Sequence, residues 1–130
     1  MTDGTRGYIE KAAYQINGCY EAGFYDACAI MIRRLVETLI IEVFEKIGKA
    51  DIIKGTDGNF FMLPCLLDKL SAEESINLGR EAKRVPGKIK KFGDRSAHNR
   101  RWNATKSDLD SLKDDTRLLV EELIHLSGLQ

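Results

Sequence analysis

Arg84, Lys88, Lys91, Arg95 and His98 recur at steps of 4, 3, 4 and 3 residues. Those steps follow the period of an α-helix, so on a helix from about Pro86 to Asn99 the five side chains share one face. Val85, Ile89 and Phe92 keep the same spacing on the adjacent stripe. A helix so patterned buries Ile89 and Phe92 and turns a ladder of cations outward, and phosphate is the ligand chemistry that suits such a ladder. Arg100, Arg101 and Trp102 follow directly. An indole beside two guanidinium groups is a combination that stacks on an unpaired base while the charges hold its backbone.

The distribution of charge singles out the same segment. Over the whole chain 20 basic residues cancel 20 acidic ones, but residues 80–106 hold 10 basic and 2 acidic side chains, whereas residues 107–130 hold 2 and 6. A local net of +8 concentrates an anionic partner on one surface. The same residues also fit a plainer role, in which the cations are solvated or pair with the acidic last helix. An indole more often serves core or edge packing, the plainer role for Trp102, and a lone histidine near a helix end is more often a cap or a packed side chain, the plainer role for His98.

Other chemistry-bearing residues are more ordinary. His125 sits in the last turn of the final helix, where a cation suits the helix dipole. Cys19, Cys28 and Cys65 fall on predicted apolar faces and read as small buried hydrophobes. Arg33 and Arg34 with Glu37 have the spacing of helix-surface ion pairs. The chain has no Gly-rich phosphate loop, no metal-spaced cluster of histidines and carboxylates and no Gly-x-Ser-x-Gly element, so neither a metal nor a cofactor is expected.

These residues need a scaffold, and the composition says which kind. With 130 residues, 43% of them hydrophobic and 31% charged, the chain is of a size and balance for one globular domain over residues 1–130, not a disordered tail or a collagen-like repeat. No apolar run approaches the roughly 20 residues that span a bilayer. Only two prolines are present, apolar residues recur every three or four positions, and strict alternation is lacking. The expected fold is therefore all-α, a single-domain bundle of four to five helices.

The first helix is predicted from about Thr5 to Ala22 and stops at Gly23. A central second helix runs from Phe24 to Ile47, with Cys28, Ile32, Leu35, Val36, Leu39, Val43 and Ile47 as its apolar set. Residues 49–60 form the long loop. Pro64 suits the first turn of a short third helix to Leu70, and Ser71 with Glu74 has the pattern of a capping box for a further start. Residues 72–84 then read as a weak helix interrupted at Pro86-Gly87. The last helix starts near Thr105 or Ser107 and buries Leu109, Leu112, Leu119, Leu123 and Leu126. Three cysteines without CxxC spacing, and an amino terminus without an apolar core, point to the reducing cytoplasm.

The stretch Tyr20 to Ile40, containing Arg33-Arg34 and Glu37, and the later Gly93-Asp94-Arg95-Ser96-Ala97-His98-Asn99 before a leucine-rich helix resemble the HEPN superfamily of helical domains. Within it the likeness points to a largely bacterial family of unknown function, with an Arg-Arg-x-x-Glu helix and a Gly-Asn-x-Ala-Ala-His-like element. The resemblance implies a homodimeric bundle of four or five helices in a superfamily of metal-independent ribonucleases, nucleotide-binding partners of nucleotidyltransferases and catalytically silent adaptors. In the nuclease members an arginine, a polar residue and a histidine act on the ribose 2′-hydroxyl and the phosphorane. Carried onto this chain, the histidine is His98 and the polar residue Asp94, but the arginine position is Gly93. Glycine supplies no guanidinium to offset developing charge. Lys91, Arg95 or Arg100 would have to substitute from a neighbouring turn.

Three functions follow as expectations. The first is an RNA- or polyanion-binding domain that uses Lys88, Lys91, Arg95, Arg100, Arg101 and Trp102 without efficient cleavage. A metal-independent endoribonuclease with His98 as general acid/base is the second. The third is a helical interaction module, homodimeric or antitoxin-like, whose basic face recognises an acidic protein.

Overall fold

The computed structural model describes residues 2–98, 101 and 103–128, with side chains for 6–93, 101 and 103–128. The described residues hold five α-helices: α1 (Thr2–Ala22), α2 (Tyr25–Lys46), α3 (Leu63–Ala72), α4 (Val85–His98) and α5 (Lys106–Ser127). The fold is an all-α bundle. No helix among the described residues is long and apolar enough to cross a membrane.

α2 is the central element because its apolar residues cover more than one side. Cys28, Ile32, Leu35, Val36, Leu39, Ile40, Val43 and Phe44 are all buried, and the helix packs on α1, α3 and α5. α1 contributes Ala12 and Ile16, and α5 contributes Leu109, Leu112, Leu119 and Leu123, to the same core. Glycine delimits α2 at both ends. Gly23 (φ +82) and Gly48 (φ +74) adopt the left-handed conformation that closes a helix without a Cβ clash. Phe24 N–H then reaches back to the Cys19 carbonyl at 2.8 Å, and Lys49 N–H to that of Phe44 at 2.8 Å.

The loop after α2 is anchored. A 3₁₀ turn at Ala50–Ile53 buries Ile53 completely, and an isolated antiparallel bridge joins Lys54 to Phe60. Pro64 lies in the first turn of α3, where its missing N–H has no helical acceptor to lose.

The weak helix expected over residues 72–84 does not form. α3 continues through Ser71 to Ala72, and residues 73–81 are irregular before a 3₁₀ turn at Ala82–Arg84. The reason lies in Glu73, whose carboxylate accepts from Ser75 Oγ at 2.6 Å, Ser75 N–H at 3.2 Å and Lys49 Nζ at 2.6 Å. Those side-chain bonds fold the backbone away from the helical path. The segment then inserts Ile76 and Leu78, two residues apart as an extended chain requires, into the core. Gly79 N–H donates to Glu122 Oε1 at 2.7 Å, fastening the segment to α5.

Pro86 and Gly87 do not interrupt a helix either; they occupy the first turn of α4, which starts at Val85. α5 begins with a full capping box. Thr105 Oγ1 accepts from Asp108 N–H at 3.2 Å and Asp108 Oδ2 accepts from Thr105 N–H at 3.0 Å. Of the cysteines, Cys28 is buried and Cys19 half-buried, while Cys65 faces solvent from α3 and departs from the expected burial.

Candidate functional site

The cationic ladder depends on helical geometry, and α4 supplies it from Val85 to His98. Arg84, in the preceding 3₁₀ turn, Lys88 and Lys91 are exposed. On the adjacent stripe Val85 and Ile89 are buried, and Phe92 packs half-buried against the core. The amphipathic division holds wherever side chains are described. Asp94, Arg95 and His98 continue along the helix backbone, but their side chains lie outside the described residues, as do Asn99, Arg100 and Trp102 altogether. Arg101 is exposed in the turn that follows.

Between α4 and α5 runs a groove of about 530 Å³. Lys88, Lys91 and Phe92 form one wall, and Ser107, Ser111 and Asp115 stand on the other. Lys88 Nζ lies 3.5 Å from Asp115 Oδ1 across this groove. Lys90, outside the ladder, reaches Asp68 of α3 at 3.0 Å. Arg84 and Lys91 make no ion pair among the described residues. The acidic last helix therefore neutralises one rung of the described ladder and leaves two open to an external anion. Exposed pairs such as Lys88 with Asp115 contribute about 0–1 kcal/mol, so an incoming phosphate displaces them at little cost.

Ala104 and the start of α5 are held by residues that carry no local sign of the task. Asp26, in the first turn of α2, accepts from Ala104 N–H at 2.8 Å, and Ala104 is itself buried. Next to it, the Tyr20 hydroxyl donates to Asp110, and Lys106 Nζ lies 3.3 Å from the same carboxylate. Lys113 sits 4.0 Å over the Tyr20 ring and 3.4 Å from Asn17 Oδ1. The hydrogen bond to Asp110 pushes the Tyr20 phenol above its ordinary pKa, while that bond and then Lys106 hold the Asp110 carboxyl below its own. This cluster ties the start of α5 to α1.

Arg33, Arg34 and Glu37 do not form the surface ion pairs that their spacing suggests. No ion pair among the described residues joins them, and the nearest polar link is Thr38 Oγ1 donating to the Arg34 carbonyl at 2.9 Å.

A family model described as a domain of unknown function (DUF4145) matches residues 14–130. No curated protein and no solved structure matches the chain.

Proposed function

The chain therefore belongs to the DUF4145 family, and on that premise we propose that it is a cytoplasmic, HEPN-like binding domain for RNA or another polyanion, without efficient catalysis. The observation that supports this most is the continuous α4 helix with Arg84 and Lys91 exposed and unpaired on the face that also carries Lys88. In this reading Lys88, Lys91, Arg95, Arg100 and Arg101 hold phosphates, and Trp102 stacks on a base. His98 and Asp94 stand at the histidine and polar positions of the HEPN pattern. With Gly93 at its arginine position, no guanidinium meets the phosphorane, and the ligand is bound more than cut. Self-association as a homodimer belongs to the same reading.

Charge reversal at two rungs tests the site. Lys88→Glu with Lys91→Glu is expected to weaken binding of a labelled single-stranded RNA at least about tenfold and to lower the slope of log affinity against log salt by about 2. An unchanged affinity and slope would remove the site from α4. Were the RNA shortened, 2′,3′-cyclic phosphate ends and their loss in His98→Ala would establish the ribonuclease instead.

The pairing of Lys88 with Asp115 and Lys90 with Asp68 favours one second reading, an interaction module whose basic face meets the carboxylates of an acidic protein. That reading predicts no RNA binding at low salt and capture of one protein partner through the same lysines.

A further inference from the structure

α1 and α5 both pack on α2 but hardly on each other. Between them runs a groove of about 450 Å³ with aliphatic walls, given by Ala13 and Ile16 of α1, Ile32 and Leu35 of α2 and Val120 of α5. Lys113, Thr116 and Arg117 of α5 supply its donors, and Asn17 and Asp114 complete the lining. Thr116 is only 5% exposed, and its buried Oγ1 has no hydrogen-bond partner among the described residues. A threonine inside a helix ordinarily returns its hydroxyl to a carbonyl one turn back. Thr38 does so, to the Arg34 carbonyl at 2.9 Å, and Thr116 does not. A buried hydroxyl left unpaired is costly, and at the wall of a groove it marks a place where a ligand completes the bond.

The order of residues along α5 identifies the ligand. Lys113, Thr116, Arg117 and Val120 follow at steps of 3, 1 and 3, so they share one face of the helix. The hydroxyl is therefore flanked by an ammonium and a guanidinium, a donor set that matches a carboxylate. Lys113 Nζ lies 3.4 Å from Asn17 Oδ1, which occupies one of its three donors. Arg117 Nε lies 3.6 Å from Glu121 Oε1 in an exposed pair, which an arriving anion displaces at little cost. Asp114 stands about 100° round the helix from Lys113, off that face. Two cations against one acid leave the lining basic. The aliphatic walls take an alkyl chain and not a second charge. Residues 113–120 span about 10 Å of helix, which matches a chain of about eight carbons at roughly 1.2 Å per bond.

We propose that the groove between α1 and α5 binds a medium-chain alkyl carboxylate. Thr116 Oγ1 donates to the carboxylate, Lys113 and Arg117 pair with it, and the chain lies on Ile16, Ile32 and Leu35. The site shares no residue with the groove between α4 and α5 and does not depend on the polyanion reading. A ligand of this size with one charged head should bind with a Kd on the order of 100 μM.

Calorimetric titration of the full chain with sodium octanoate tests it, with acetate and octan-1-ol as controls for the head and the tail. Octanoate should saturate a single site, at least about tenfold tighter than octan-1-ol, and acetate should not bind measurably. Thr116→Val keeps the shape and removes the hydroxyl. Octanoate affinity should then fall about tenfold, while the thermal midpoint of the free protein rises by roughly a few degrees because the unpaired group is gone. Arg117→Gln, at an exposed position, should weaken octanoate about tenfold and leave the midpoint where it is. No saturation by millimolar octanoate overturns the proposal, as does octanoate binding that neither substitution weakens. Acetate binding as tight as that of octanoate overturns it too, by reducing the site to two surface cations. A midpoint lowered by Thr116→Val would show that the hydroxyl serves the fold and overturn its role as a ligand donor. RNA binding through α4 is read separately and is touched by none of these results.

Discussion

At the scale of single residues, Glu73 has the carboxyl most displaced from its ordinary pKa among the described residues, and it lies outside the candidate site. The Lys49 ammonium, then the Ser75 hydroxyl and N–H, draw its carboxyl from 4.5 down to about 2. A carboxyl whose pKa is lower folded than unfolded adds stability that is whole above about 4.5 and disappears as the pH falls toward about 2. Glu73→Gln should therefore flatten the acid limb of the stability profile across that window, as read by urea unfolding at stepped pH. A limb that runs parallel to the wild type's would show that Glu73 does not hold the turn after α3. The sequence suggested a helix start here from Ser71 and Glu74, and the carboxylate one residue earlier took the role with a different geometry. Asp26 and Tyr20 teach the same lesson at the site. Their partners Ala104 and Asp110 are 78 and 90 residues away, and no local pattern encodes a contact of that span.

At the scale of elements, the helices that were legible are those whose signals agree. α2 has a long apolar period, left-handed glycines at both ends and burial against three neighbours. α5 combines a leucine stripe with the Thr105–Asp108 capping box. Thr105→Ala removes one acceptor from the first turn of α5 and should cost about 1 kcal/mol in chemical denaturation. A loss near zero would mean that packing of Leu109 and Leu112 alone sets the start of the helix. Where signals conflicted, tertiary contacts decided. Residues 73–81 have fair helical composition, but the Glu73 bonds and the burial of Ile76 and Leu78 outweigh it. In α4, Gly87 and Gly93 each disfavour a helix by about 1 kcal/mol, yet the burial of Val85 and Ile89 keeps the segment helical through both. The helix that carries the expected ladder forms for that reason, with Lys88 and Lys91 exposed on it.

At the scale of the whole molecule, the net charge of zero hides a bundle with a basic side and an acidic last helix. The sum of charges gives no hint of which cations are spent internally. That required the fold, which pairs Lys88 with Asp115 and leaves Arg84 and Lys91 exposed. The measurement that tests the central claim most directly is fluorescence anisotropy of a labelled single-stranded RNA with the wild-type protein at several salt concentrations, followed by a check of RNA length. Binding that falls steeply with salt, by several powers of the salt concentration, with the RNA left intact, is the predicted result. No binding at low salt would contradict it and leave the basic face to a protein partner.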